Sequence, residues 1–432
     1  MSKYASIIAG IALILIFIFT LFTQTLNAPS FDDFEATLAI IKRFYFENRT
    51  WKDRLAVLFL RHNEHRIVIS RSVAVLYYHL FGNISFSNLV WFQNVFLLGF
   101  FGLILKIFAD ENKLSASAFL IITSFLFSFS FWQVSFYYWA GIQHFTVFFF
   151  SFLSLILLNE AVKLSSWRFI LSVISATLAA FSFGNGFLVL LLGGFILLVQ
   201  RKYALLAVWA VLSGIMLYIT FLVDPNEPNE KETFSLVSMA KLLFTFMGSY
   251  LFINPPSDFL VYLNIIFCMI AGLAILIFWV WLFISGYACK KPLLYSLFSL
   301  PVLTGILISI SRFSTKAAGG IAPRYMFFTS LIPVLLLLIL LDIKVIKREW
   351  LGWFSVLVVV LWSAGFYFQR KELILMNTEI TTNLNAWKQD HSHKMIFYRD
   401  AEPYSSILQW SIENKVFQLQ DQPGPSPVPV KN

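Results

Sequence analysis

Long apolar runs recur from one end of this 432-residue chain to the other, and they constrain its fold more than any motif does. A membrane crossing takes about 20 predominantly apolar residues. Runs near that length lie at residues 4–23, 89–108, 115–131, 140–158, 167–183, 186–200, 203–222, 260–284, 293–311, 324–341 and 350–368. Hydrophobic residues make up 59% of the chain and charged residues 13%, against roughly 25% charged in a soluble domain. The fold class is therefore an all-α polytopic membrane protein with about eleven transmembrane helices, and the lipid bilayer is its first partner.

The net charge of +9 would suggest nucleic acid in a soluble domain, but here the basic residues sit in short loops between apolar runs. No Lys/Arg-rich run carries stacking aromatics, so no nucleic acid is expected. With the N-terminus in the cytoplasm, the inside loops hold Lys113, Lys163, Arg168, Arg201, Lys202, Lys290, Lys291, Lys344, Lys347 and Arg348, as the positive-inside rule requires. Residues 24–88, 223–259, 312–323 and the tail after 368 then face outward. A cleaved signal peptide is the alternative for the first run, since Lys3 precedes it and Leu26-Asn27-Ala28 closes it. The many spans that follow favour a retained helix. Residues 234–253 are apolar but contain Lys241, and suit a surface or re-entrant segment.

Three domains follow. Residues 1–368 form the membrane domain, with 24–88 as its first outer loop. Residues 369–420 form a small outer α/β segment, with a strand expected at 395–398 and a helix at 405–414. Residues 421–432 form a flexible tail marked by Pro423, Pro425, Pro427 and Pro429.

Several function classes lack their signatures. No Asp, Glu, Lys or Arg lies in the middle of a span, which weighs against an ion-coupled pump or voltage sensor. There is no phosphate-binding loop, nucleophile elbow, HExxH helix or CxxC pair, and two cysteines give no disulfide framework.

Polar chemistry collects in three outer constellations. In the first loop, Phe34, Leu38, Ile41 and Tyr45, then Trp51, Leu55 and Leu58, follow helical spacing, so two amphipathic helices should lie along the membrane surface. Asp32 and Asp33 stand before the first. Paired carboxylates could act as general base or hold Mg²⁺ or Mn²⁺. Pro29-Ser30-x-x-Asp33 is also close to a capping box, which would occupy Asp33 and leave Asp32 for a substrate. The second constellation is His62-Asn63-Glu64-His65-Arg66, followed by Arg71. It offers Glu64, His65 and Arg66 as acceptor-orienting groups or metal ligands, against a plain surface ion pair of Glu64 with Arg61 or Arg71. The third is Arg312, Lys316, Gly319, Gly320, Arg324 and Tyr325. Basic residues in an outer loop run against the positive-inside rule, so a bound phosphate or lipid headgroups must account for them.

Acids in the first outer loop, a late basic loop and charge-free spans together resemble the GT-C superfamily of glycosyltransferases, and more narrowly a group of bacterial GT-C-like membrane proteins. The matching stretches are Phe31-Asp32-Asp33, Asn63-Glu64-His65-Arg66, Ser182-Phe183-Gly184-Asn185-Gly186 and Arg324-Tyr325. The resemblance implies a bacterial inner-membrane enzyme with its active site and C-terminus on the periplasmic side. It would move sugar from a polyprenyl-phosphate carrier to a glycan, lipid or protein acceptor. It further implies that Asp32 or Asp33 is the base, and that Arg312, Lys316, Arg324 and Tyr325 hold the donor phosphate. The rivals are a polysaccharide polymerase or ligase, which would rely on arginines in a large late loop, and a flippase for lipid-linked sugars. A flippase needs a polar path through the spans, for which Asn94, His144 and Asn185 are the material.

Overall fold

A computed structural model describes residues 2–62, 65–223, 234–393 and 401–419. Glu64, the strand expected at 395–398 and the tail 421–432 lie outside the described residues. Among the described residues nine helices are long and apolar enough to cross a membrane: Lys3–Gln24, Phe86–Asp110, Ala116–Phe136, Tyr138–Glu160, Tyr203–Leu222, Asp258–Ile284, Pro292–Ser311, Pro323–Asp342 and Arg348–Gln389. Their starts are legible chemistry. Ser85 and Ser115 accept from the backbone N–H groups of Asn88 and Ala118. Pro292 and Pro323 open their helices where an N–H would have no intrahelical partner. Leu15, Phe19 and Phe22, Val211 and Ile215, and Phe267, Ile270 and Ile277 are exposed on outward faces. Surfaces of that kind are solvated by lipid.

Two of the eleven expected spans are shorter than their apolar runs. Trp167–Ala180 has 14 residues and Leu188–Val199 has 12, about 21 and 18 Å against a hydrocarbon core of roughly 30 Å. Arg168 Nε lies 3.0 Å from Glu160, which aligns the starting end of the first with the finishing end of helix Tyr138–Glu160. Counting about 1.5 Å per residue from there, Ala180 rises only to the level of residue 148. The turn at 181–187 therefore stops within the bundle. A Cβ at Gly186 would overlap the Ala179 carbonyl, and Gly184 lies beneath His65, whose Cβ would stand 3.3 Å from an added methyl. Asn185 ties the turn down by donating to Thr304 Oγ1 (2.9 Å).

The segment at 234–253 is embedded rather than lying on the surface. Helix Leu236–Gly248 packs against Asp258–Ile284 so closely that a Cβ at Gly248 would strike the Cys268 carbonyl and one at Gly272 the Phe244 carbonyl. The segment as a whole enters and leaves on one face of the molecule. Phe234 meets Phe313 (5.4 Å) beside Arg312, and Asn254 lies 3.5 Å from Glu372.

The opposite face gathers the basic loops. Lys291 Nζ lies 2.7 Å from Glu111 and 3.9 Å from Asp342. Lys202 donates to the Asn159 carbonyl (2.9 Å), and Arg348 donates to that of Asn112. Lys106, about one turn before Glu111, lies 4.0 Å from Glu160 beside Asn159, so five loops far apart in sequence share one end of the bundle.

At the other end, the first loop is covered rather than spread on a surface. Residues 34–47 wind as one helical stretch, partly π-helical (Phe34–Leu38 and Lys42–Glu47), and Phe34, Leu38, Ile41 and Phe44 are buried. The cover comes from helix Ala401–Glu413, seen where a helix was expected at 405–414: Tyr404 packs on Phe34 (5.3 Å) and Trp410 on Phe46 (5.0 Å). Helix Trp51–Phe59 does keep an outward apolar face, with Trp51 and Leu55 exposed. The boundary expected at residue 368 is absent, because Leu351–Gln389 runs on as one helix of 39 residues, about 58 Å long. No Gly or Pro interrupts it after Gly365. Asn377 in its outer part donates to the Gln24 carbonyl (2.7 Å) and accepts from Tyr137 (2.8 Å).

Candidate functional site

The Asp32-Asp33 pair is split by the backbone. Phe31 sits at φ 48, in the left-handed region that non-glycine residues avoid, with its ring against Trp139 (5.0 Å). Beyond it the two carboxylates diverge. Asp33 is buried, and its Oδ2 accepts from the backbone N–H (3.0 Å) and hydroxyl (3.2 Å) of Ser30. This is the reciprocal half of a capping box. Burial pushes the Asp33 carboxyl well above its usual value, opposed by the Ser30 hydrogen bonds and reinforced by the Asp32 charge. Asp33 is thus engaged by Ser30 and is not among the residues that line the cavity, so the structure does not place it beside Asp32 as the expected second catalytic carboxylate. Asp32 lines a cavity, and its Oδ2 lies 3.2 Å from His62 Nε2.

His62 reaches Asp32 from a two-stranded hairpin in which Arg61 pairs with Arg66 and His62 with His65. Three arginines anchor it. Arg66 is buried and donates to the carbonyls of Phe59 and Val223. Arg71 donates to Leu58 (3.3 Å) and Leu60, and Arg61 to Phe221 (2.9 Å). These acceptors close helices Trp51–Phe59 and Tyr203–Leu222, whose last carbonyls lack intrahelical donors and sit at the negative end of the helix dipole. Arg66 therefore holds the hairpin in place, a correction to the acceptor-binding or metal-binding role expected for it. His65 does line the cavity. Burial first, then the charges of His62, Arg312 and His144, push it down to about 3 against an opposing pull from Asp32, so it is neutral at physiological pH.

The cavity, ≈ 310 Å³, is also lined by Arg312, Thr315, Arg324 and Tyr325 from the late basic loop, and by Trp139, Gln143, His144 and Phe183. Arg324 carries its guanidinium 5.1 Å from the Tyr325 ring centre. Lys316 does not line the cavity: it is exposed at φ 55, on a short helix Lys316–Gly320 whose Gly320 packs against the Phe246 backbone. Thus the structure brings Asp32, His65, Arg312, Arg324 and Tyr325 together and leaves Asp33, Arg66 and Lys316 out.

Sequence reasoning gave no separate role to His62, Trp139 or Phe183, and weighed His144 only as material for a transport path. His144 is buried six residues into helix Tyr138–Glu160, about 9 Å below its start. Its ring lies 4.7 Å from each of Phe183 and Phe328. The sequence signal was a histidine inside an otherwise apolar span. The other two polar residues of a conceivable transport path are committed elsewhere: Asn94 donates to the Ser135 carbonyl (2.9 Å) and Asn185 to Thr304.

Among the described residues no three His, Cys, Asp or Glu side chains converge as metal ligands. Mg²⁺ and Mn²⁺ favour about six oxygen-rich ligands, and the described residues of the cavity supply one carboxylate with imidazoles around it. What the cavity offers is a carboxylate braced by an imidazole, two guanidinium groups, and an aromatic floor sunk below the bundle rim. Fold and site together define a polytopic helical membrane protein with a polar, partly cationic cavity at one end. No protein-family model, curated protein or solved structure matches this chain.

Proposed function

We propose that the protein is a membrane glycosyltransferase that takes sugar from a polyprenyl-phosphate carrier and delivers it to an acceptor hydroxyl on a glycan, lipid or protein. The observation that carries this reading is one cavity lined by Asp32, held by His62, and by Arg312 and Arg324. The clustered basic loops support a cytoplasmic opposite face by the positive-inside rule, and on this reading the cavity faces the outer side of a bacterial inner membrane.

In the reaction the acceptor oxygen attacks the anomeric carbon while Asp32 takes the hydroxyl proton. The bond from that carbon to the phosphate oxygen breaks, and its electron pair leaves with the polyprenyl phosphate. General-base help of this kind is worth roughly 10² to 10⁴ in rate. His62 orients the Asp32 carboxylate. Arg324 and Arg312 meet the charge that grows on the departing phosphate, where guanidinium groups bind two oxygens at once. Tyr325 supports Arg324 through its ring face.

The test is release of free polyprenyl phosphate from a panel of polyprenyl-phosphate sugars by purified, reconstituted protein. Release that depends on Asp32 supports the transferase. Binding of these lipids without release from any donor would shift the reading to a flippase or an accessory subunit.

A further inference from the structure

Besides His62 Nε2, which faces Asp32 Oδ2 across 3.2 Å, two polar atoms of cavity-lining residues have no hydrogen-bond partner among the described residues: Nε2 of His144 and Nε1 of Trp139. Both residues line the cavity and are more than nine-tenths buried, with relative exposures of 3% and 7%. Unpaired buried polar atoms are costly and rare in a folded protein. Their state is fixed by geometry. His144 Nδ1 stands 2.7 Å from the Ala140 carbonyl, an acceptor only, so Nδ1 carries a proton, and in the neutral ring Nε2 then presents a lone pair. An indole Nε1 can only donate. The residues lining the cavity therefore include one acceptor and one donor five positions apart on a single helix, with the Phe183 ring beside His144.

That pairing selects among ligand groups. An ionised phosphate oxygen has no proton to give His144. A hydroxyl both donates and accepts. From this, and resting on the transferase reading above, we infer that His144 and Trp139 form a sugar-hydroxyl subsite, which orients the donor with its sugar against the aromatic floor and its phosphate toward Arg312 and Arg324. The cavity volume of ≈ 310 Å³ lies at the lower end of small-molecule sites, about 300–1,000 Å³, which suits a ligand of the size of a single sugar ring with its phosphate. The Phe183 face supplies a flat apolar wall for the C–H face of that ring.

The experiment compares binding of polyprenyl-phosphate-glucose and polyprenyl-phosphate-mannose with binding of bare polyprenyl phosphate, in wild-type protein and in His144→Ala, His144→Gln and Trp139→Phe variants. Thermal melting verifies that each variant is folded. Wild type should bind at least one sugar-bearing lipid more tightly than the bare lipid. His144→Ala should cut that preference roughly ten-fold, the order of one hydrogen bond left unmade, while bare-lipid affinity stays unchanged. His144→Gln, whose side-chain oxygen accepts again, should restore part of it. Trp139→Phe, which removes only the N–H and ring edge, should reduce it as well. Equal loss for sugar-bearing and bare lipid, or no loss in any variant, overturns the subsite while leaving the transferase reading intact. Failure of wild type to bind any of the three lipids overturns both.

Discussion

The two ends of the bundle use charge differently. On the basic face carboxylates meet lysines and arginines directly, as in Glu111 with Lys291, Asp110 with Lys106 and Glu160 with Arg168. Glu111–Lys291 and Glu160–Arg168 join separate elements, Lys106–Asp110 lies within one helix, and all three sit in contact with solvent. At the cavity end Lys42 and Glu47 pair on the first-loop helix, but around the cavity itself Asp32 faces an imidazole, Arg324 rests on an aromatic ring, and His65 and His144 are buried close by. Directly matched opposite charges fasten elements together. Carboxylate, imidazoles and guanidinium groups around a shared space form a site that a ligand can complete.

Substitutions at the two ends should separate these uses. The largest effect is expected for Asp32→Asn, a fall of about 10² to 10⁴ in the rate of lipid-phosphate release. Arg324→Ala should lower kcat/KM by roughly 10² to 10³, the usual loss when one preorganised donor to a developing charge is removed, and Arg324→Lys should recover part of it. Equal activity in Arg324→Ala and wild type would erase the distinction between the ends. Arg66→Gln should act on stability: loss of charged hydrogen bonds to buried carbonyls at two helix ends is worth about 2–3 kcal/mol, read as a lower melting temperature in detergent. On the basic face, Arg168→Ala should cost no more than about 1 kcal/mol, since exposed ion pairs contribute little.

Acidity gives a finer comparison within the site. His65 is pushed down to about 3 in the fold, so its contribution is neutral above the unfolded value of about 6.5. Stability should fall as pH drops from there toward 3, because only the unfolded chain then takes up the proton. Asp33 runs the other way. Its raised folded value means its contribution is fully present below the usual carboxylate range and is lost as pH rises through that raised value. Melting curves of His65→Gln should flatten the first dependence, and those of Asp33→Asn the second.

Much of the membrane domain was legible because an apolar run of span length needs an apolar solvent, and repeated runs of that length call for a bilayer. The ambiguity at Asp33 was legible too, since Pro29-Ser30-x-x-Asp33 already held a capping reading beside a chemical one. Arg312 and Arg324 stood out by breaking the charge rule for outer loops. The misses have physical causes. Spans 167–183 and 186–200 looked full length because apolarity says nothing of the turn at 181–187, which Gly184 and Gly186 permit by removing Cβ atoms. The first-loop helix looked like a surface helix because its cover, Tyr404 and Trp410, arrives from more than 350 residues away. Arg66 looked chemical because a buried arginine and a substrate-binding one share a sequence signature, and only the helix-end carbonyls of Phe59 and Val223 tell them apart. His144 looked like thin material for a transport path because its meaning lies in an unpaired nitrogen, which no sequence pattern records.

The most direct test of the central claim sets Asp32→Asn and Asp33→Asn side by side in the reconstituted lipid-phosphate release assay, with the donor that wild type consumes. Release should collapse in the Asp32 variant by about 10² or more and stay within about two-fold of wild type in the Asp33 variant, whose Ser30 bonds an asparagine oxygen can still accept. Equal loss in both, or loss in the Asp33 variant alone while it melts like wild type, would contradict the division of labour between the two carboxylates.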